Sequence, residues 1–384
     1  MWLMKKNIDE WKKVLFQEKV LFPLYIVLSI IAFIQVSYVG NCNNFIIFRS
    51  SFYHLMRSLP LYLPYPDSYF DIFIYSPGFP ILFSPFAILP IFVGIAAWLL
   101  FMALFCLYSF KQMPLKGKKP FVFAFLILFD LLNNLQHCQT NPVLLSLMIL
   151  CWSLLEKDKL MWAALCITIC FCIKGYPAIV GLLALYHKKW YRIILYALCW
   201  FILIHALMLI FISPAMVLQY YKDWILLITG SGIEEQFSVY GILALFHFAT
   251  IPEIYILGTA LLILTVFFIP YQSGTKDKGQ LLAFLLIWMV VFNRAAESPT
   301  YLLAMAGVLI WYLKRKTSLY STTLCWITLL LSSVIPTKLI PYLDKLRYDY
   351  YLKVFLCIFV LADMLVYTYR EQQMNKMLNK IKSL

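Results

Sequence analysis

The segment NPVLLSLMILCWSLLEKDKLMWAALCITICFCIKGYP, Asn141–Pro177, decides the fold. Two apolar runs, Pro142–Leu155 and Leu160–Ile173, flank the charged tetrapeptide Glu156–Lys159. Each run reads as a membrane span. Lysines mark one end of the pair, and Asn141, Lys174 and Gly175 mark the other. The same alternation of apolar run and short lysine cluster continues in both directions along the chain.

Of 384 residues, 63% are hydrophobic and 13% are charged. Soluble domains carry roughly 25% charged residues, and a bilayer span needs about 20 mostly apolar ones. A soluble enzyme, a disordered chain and a collagen-like chain are therefore excluded. The expected fold class is an all-α polytopic membrane protein, one integral domain over 1–384 with about 12 transmembrane helices. The spans are expected at 20–39, 77–110, 120–135, 142–155, 160–173, 175–186, 193–212, 253–270, 280–292, 300–313, 319–335 and 350–369. Residues 1–19 form a basic, amphipathic start on the cytoplasmic membrane surface, with the first apolar run kept as an anchor. Residues 40–76 form the first outer loop, with an interfacial helix over 45–59, and 370–384 form a cytoplasmic tail.

The net charge of +14 does not indicate nucleic acid, because the lysines sit in clusters between apolar runs and form no basic face. With both termini cytoplasmic, the inner loops hold 23 of the 32 Lys and Arg residues, although the outer loops are longer. This asymmetry fixes the orientation in the cell membrane. The ten cysteines show no metal-ligand or disulfide spacing.

Acids, bases and amides collect in the outer loops, so the active side is expected to face outward. The first outer loop carries Arg49, Arg57, Asp67 and Asp71 in an aromatic, proline-rich context. An aromatic belt at the interface accounts for its tyrosines but not for two aspartates beside two arginines. The third span exits with Asp130, Asn133, Asn134 and His137 on one helical stripe, followed by Gln139 and Asn141. An acid inside a span is a functional candidate, against a buried hydrogen-bonding role. Lys174 is an outer cation that either snorkels to the interface or meets an anionic ligand. Glu234 and Glu235 precede a short apolar helix, and Asn293, Arg294 and Glu297 lie at a later outer mouth. Glu297 could serve only the amino end of the helix after Pro299. His205 and Asp363 read as structural.

The stretch YSPGFPILFSPFAILP (75–90) resembles the start of the second span in glycosyltransferase family 87, polytopic enzymes of the GT-C superfamily. QTNPVLL (139–145) resembles that family's Gly-Gln-x-Asn-x-Leu-Leu segment, with Cys138 at the Gly position. IKGYPAIVGLLALYHKKWYR (173–192) resembles its Leu-Lys-Pro-x-Pro stretch, with Gly175 replacing the first Pro. QFSVYGIL (236–243) and NRAAESPTYLLAMAGVLIWY (293–312) resemble later segments, the second in a form similar to that of relatives from Bacteroidetes-type bacteria. The ordered set spans most of 20–315.

The resemblance implies an inverting transferase that takes mannose or a similar hexose from a polyprenyl-phosphate donor. The sugar would pass to a lipid or glycan acceptor at the outer leaflet. It also implies a carboxylate in the first outer loop acting as general base. The family's usual acid position is held here by Asn44, whose amide cannot be a base. Asp71 or Asp67 would take that role, Asp71 preferred because it lies just before the motif. Lys174, Arg49, Arg57 and Arg294 suit a phosphate. Gln139, Asn141, His137 and Asn293 suit sugar hydroxyls. Tyr75, Asn44, Asp130, Glu234, Glu235 and Glu297 complete the substrate-binding set. With no Asp-x-Asp pair, neither a cofactor nor a divalent metal is indicated. A transporter or flippase, an outer-leaflet polymerase or ligase of lipid-linked glycans, and an inactive scaffold are the competing readings.

Overall fold

In a computed structural model the described residues are 15–40, 42–230, 237–246, 252–268, 276–335 and 340–382. Among them there are helices and no strands. This is the expected result for a chain that must satisfy its backbone polar groups inside hydrocarbon. The chain divides into two compact units, Met1–Gly232 and Ile233–Leu384.

The first unit contains α1 (Glu18–Val39), α2 (Asn43–Met56), α3 (Phe79–Ala87), α4 (Ile91–Lys111), α5 (Lys119–Leu126) and α6 (Leu128–Gln136). It continues with α7 (Asn141–Glu156), α8 (Leu160–Lys174), a 3₁₀ helix (Tyr176–Tyr186), α9 (Trp190–Met208) and α10 (Pro214–Thr229). The helix expected over 45–59 is α2, and the hairpin of the opening segment is α7 and α8. Helix α7 is buried along nearly its whole length, from Asn141 to Leu155, and forms the centre of this unit.

The second unit contains α11 (Val239–Leu245), α12 (Pro252–Ile263), α13 (Lys278–Val291), α14 (Tyr301–Lys314), α15 (Leu319–Leu329), α16 (Pro341–Tyr348) and α17 (Leu352–Lys382). Helices α13 and α14 pack as its core. A Cβ at Gly307 would come within 2.7 Å of the Ala283 carbonyl oxygen, so only glycine allows this backbone approach.

The expected count of about 12 spans changes in detail. Among the described residues, three helices are long and apolar enough to cross a membrane unaided, over Glu18–Tyr38, Ile91–Lys111 and Trp190–Met208. A fourth is obtained if Tyr342–Tyr348 and Leu352–Tyr367, bent by 66°, act as one. The remaining apolar helices are shorter, and several expected spans are broken. The run 77–110 divides into α3 and α4 because Pro90 holds an extended conformation (φ −52°, ψ 142°) ahead of α4. The run 120–135 divides at Ile127, and 175–186 winds as a 3₁₀ helix. Helices α12 and α15 end in π turns at Leu264–Phe268 and Leu330–Val334. The tail expected from residue 370 continues α17 as far as Lys382.

Helix α10 falls where the sequence suggested a loop. Its start is well specified, because the Ser213 side chain accepts from the Met216 N–H (3.3 Å) and Pro214 occupies the first turn. Two internal polar residues have structural partners, as expected. His205 binds the Phe201 carbonyl (2.7 Å) and the Tyr221 hydroxyl (2.5 Å), joining α9 to α10. Asp363 pairs with Arg315.

Candidate functional site

Between α2 and α3 the chain has no regular structure, so its carbonyl and N–H groups need partners from elsewhere. They are supplied mostly by aromatic side chains. Tyr62 donates to the Tyr75 carbonyl (3.0 Å), Tyr65 to Pro60 (2.7 Å) and Tyr220 to Leu59 (2.7 Å). The Trp224 indole donates to Ile74 (3.1 Å). Beneath the segment, Phe48, Tyr75 and Phe79 pack ring to ring at 4.8–5.0 Å. The tyrosines expected as an interfacial belt therefore fix the path of the loop.

Asn43 holds the next part of the segment. Its Oδ1 accepts from the Phe70 N–H (2.9 Å), and its Nδ2 donates to the Phe70 carbonyl. Asp71 follows immediately, exposed and at φ +83°. A side chain rarely adopts that left-handed conformation. The Asp71 carboxylate accepts from the Ile72 N–H (2.7 Å). On the other side of Asn43, the Asn44 amide donates to the His137 carbonyl (2.8 Å). The position where the resemblance places an acid, the aspartate preferred as its substitute, and exposed His137 are thus gathered around the start of α2. Asp67 is exposed in the preceding turn.

Lys174 ends α8, where its charge complements the helix C-terminus. Its ammonium lies 5.0 Å from the centre of the Tyr75 ring, and the Ser76 N–H donates to the Ile173 carbonyl (3.0 Å). The segment bearing Asp71 is therefore stitched to the end of α8. No carboxylate among the described residues lies within ion-pair range of Lys174. The next residue, Gly175, has φ +77°, and a Cβ there would meet the Trp224 ring at 2.8 Å.

Other candidates have structural partners or lie apart from this loop. Arg49 donates to the Ala87 carbonyl (3.0 Å) and lies over Tyr53, joining α2 to the end of α3. Arg57 is exposed beyond the far end of α2, about 20 Å along the helix axis from Asn44. Two amides of the third span's polar stripe bond within it, while one oxygen each of Asp130, Gln139 and Asn141 is buried with no hydrogen-bond partner. Asn141 donates to the Asn134 side chain (3.0 Å), and Asn134 donates to the Asp130 carbonyl (2.9 Å). Asn134, Gln139 and Asn141 are buried, while Asp130 is half-buried.

The later candidates belong to the second unit. Asn293 accepts from the Ala295 N–H (3.0 Å), closing a tight turn through half-buried Arg294. Glu297 precedes the 3₁₀ turn Ser298–Thr300 that opens α14, and its N–H donates to the Thr300 hydroxyl (3.2 Å). This is the helix-start role that its position allowed. Glu234 and Glu235 lie outside the described residues.

Sequence reading did not single out Asn43, Tyr220 or Trp224. The signal for the last two was the capped start of α10. Asp223 shares that helix and accepts from Gln219 (2.7 Å). Among the described residues, no three His, Cys, Asp or Glu side chains come together as a metal cluster.

Residues 73–333 match the sequence profile of glycosyltransferase family 87. The match reaches beyond 315, where the motif resemblance ended, and begins just after Asp71. It thus leaves Asn44, Asp67 and Asp71 outside. No curated protein matches the chain. With well over half its length matched, the chain belongs to glycosyltransferase family 87.

Proposed function

We propose that this membrane glycosyltransferase moves a hexose, mannose or a similar sugar, from a polyprenyl-phosphate donor to a hydroxyl of a lipid or glycan acceptor. The reaction takes place on the outer face of the cell membrane, with both termini cytoplasmic. One observation supports the reading: the Asn43 clamp holds the residue before Asp71, and the Ser76–Ile173 bond ties the same loop to the end of α8 that bears Lys174.

In this reaction the acceptor hydroxyl loses its proton to the Asp71 carboxylate, and its oxygen attacks the anomeric carbon from the face opposite the phosphate. The new glycosidic bond forms as the bond from carbon to phosphate oxygen breaks, inverting the centre. Negative charge grows on the departing polyprenyl phosphate. The Lys174 ammonium stabilises that charge more in the transition state than in the ground state.

The test is sugar transfer by the purified protein in nanodiscs from a set of radiolabelled polyprenyl-phosphate sugars. Asp71→Asn should abolish turnover. Lys174→Ala should weaken donor use by roughly 10- to 100-fold, the value of a charge-assisted contact. Full turnover in Asp71→Asn would remove Asp71 from the mechanism and make Asp67, in the preceding turn, the next residue to change.

A further inference from the structure

At the end of α8 opposite Lys174, a second feature carries chemistry that the transfer reaction does not use. An open cleft of about 370 Å³ lies between the starts of α8 and α9. That volume falls within the roughly 300–1,000 Å³ of small-molecule sites. Its walls include Lys159, Lys189 and Arg192, together with Trp162 and Tyr196. One carboxylate, Asp158, faces these cations. It binds Lys189 (3.0 Å) and His187 (3.2 Å), and the Lys189 hydrogen bond holds its carboxyl below the usual range.

Lys159 and Arg192 have no carboxylate within ion-pair range among the described residues. The cleft therefore carries surplus positive charge beside aromatic side chains of the kind found at membrane interfaces. Its lining includes Met161 and Trp162, whose apolar side chains are exposed, and Leu195, one turn from Arg192 on α9, is more than half exposed. A group suited to it is anionic at one end and hydrocarbon at the other.

We propose that this cleft binds the phosphate-bearing head group of an anionic phospholipid, with the acyl chains lying along α9. Arg192 and Lys159 hold the phosphate, and Trp162 and Tyr196 sit at the level of the glycerol backbone. A phosphate from solution would satisfy the same cations but would leave the exposed apolar side chains unused.

Native mass spectrometry of the full chain, released from micelles containing phosphatidylglycerol or phosphatidylcholine, tests this. The wild type should retain phosphatidylglycerol in preference to phosphatidylcholine. The double variant Lys159→Gln/Arg192→Gln should bind it about tenfold or more weakly, having lost two charge-assisted contacts. The charge-conserving Lys159→Arg/Arg192→Lys variant should keep most of the binding, which separates lost charge from lost fold. Equal retention by the wild type and the double Gln variant overturns the site. Displacement of the lipid by inorganic phosphate overturns the lipid assignment.

Discussion

Asn43 and Phe70, 27 residues apart, form a reciprocal pair: the amide oxygen takes the Phe70 N–H and the amide nitrogen binds the Phe70 carbonyl. A side-chain amide is the shortest group able to mimic a backbone partner on both counts. This clamp fixes the residue just before Asp71 and allows Asp71 to stay in its left-handed conformation.

Asn43→Ala should free residues 68–76 while leaving α2 intact. The expected destabilisation is about 1–3 kcal/mol, because two backbone groups lose their partner. Hydrogen exchange should quicken across that segment, and turnover should fall with it. Asn43→Asp keeps the acceptor and loses the donor, so it should lie between. Unchanged exchange in Asn43→Ala would show that the aromatic anchors alone hold the loop.

Gly175→Ala tests how closely α10 approaches the end of α8. The substitution places a Cβ 2.8 Å from the Trp224 ring on a backbone at φ +77°. Strain of about 1–3 kcal/mol is expected, seen as a lower Tm in detergent. Combining it with Trp224→Leu should recover part of that loss, although the bond to the Ile74 carbonyl is then gone. A melting temperature equal to wild type in Gly175→Ala would contradict this packing.

His54 gives α2 and the loop that follows it a pH dependence. Its ring lies 4.1 Å from that of Tyr65, and burial, then the charge of Arg57, pushes its pKa below the ordinary 6.5. The unfolded chain therefore takes up this proton at a higher pH than the folded one. The contribution is neutral above about pH 7, and stability falls as the pH drops through 6.5 towards the folded value. Thermal unfolding followed from about pH 7.5 to 5 should show a shallower fall in His54→Phe than in wild type. Parallel curves would assign the slope to other groups.

Arg315 and Asp363 form an ion pair in the second unit whose side chains are only 8% and 11% exposed, and the guanidinium also stacks on Trp311 (4.9 Å) and Tyr367 (4.2 Å). Removing one partner leaves an uncompensated charge, at a cost of about 3–5 kcal/mol. Asp363→Ala should therefore be more damaging than the double variant Arg315→Met/Asp363→Leu. A double-mutant cycle on unfolding measures the difference, and additive effects would mean that the pair is not coupled.

The sequence by itself determined the class of this protein. Its continuous apolar runs, with charges confined to short clusters, fit helices in a bilayer and not the alternating strands of a barrel. Helix α2 and the α7–α8 hairpin were legible because each is set by its own local pattern. The ordered motifs likewise carried the family resemblance without any tertiary information. The site was only partly legible. Asp71, Asn44, His137 and Lys174 stood out as polar residues at outer mouths, but so did Arg49, Asn141 and Glu297, which the fold uses for joining or starting helices. Only the tertiary structure showed which of them have structural partners. A backbone group left unpaired in one loop can be satisfied by any donor brought near it. The donors chosen were Tyr220 and Trp224, 161 and 150 residues beyond the carbonyls they bind. No local pattern encodes that pairing. It follows from how α10 packs against the end of α8, and that packing fixes the segment carrying Asp71.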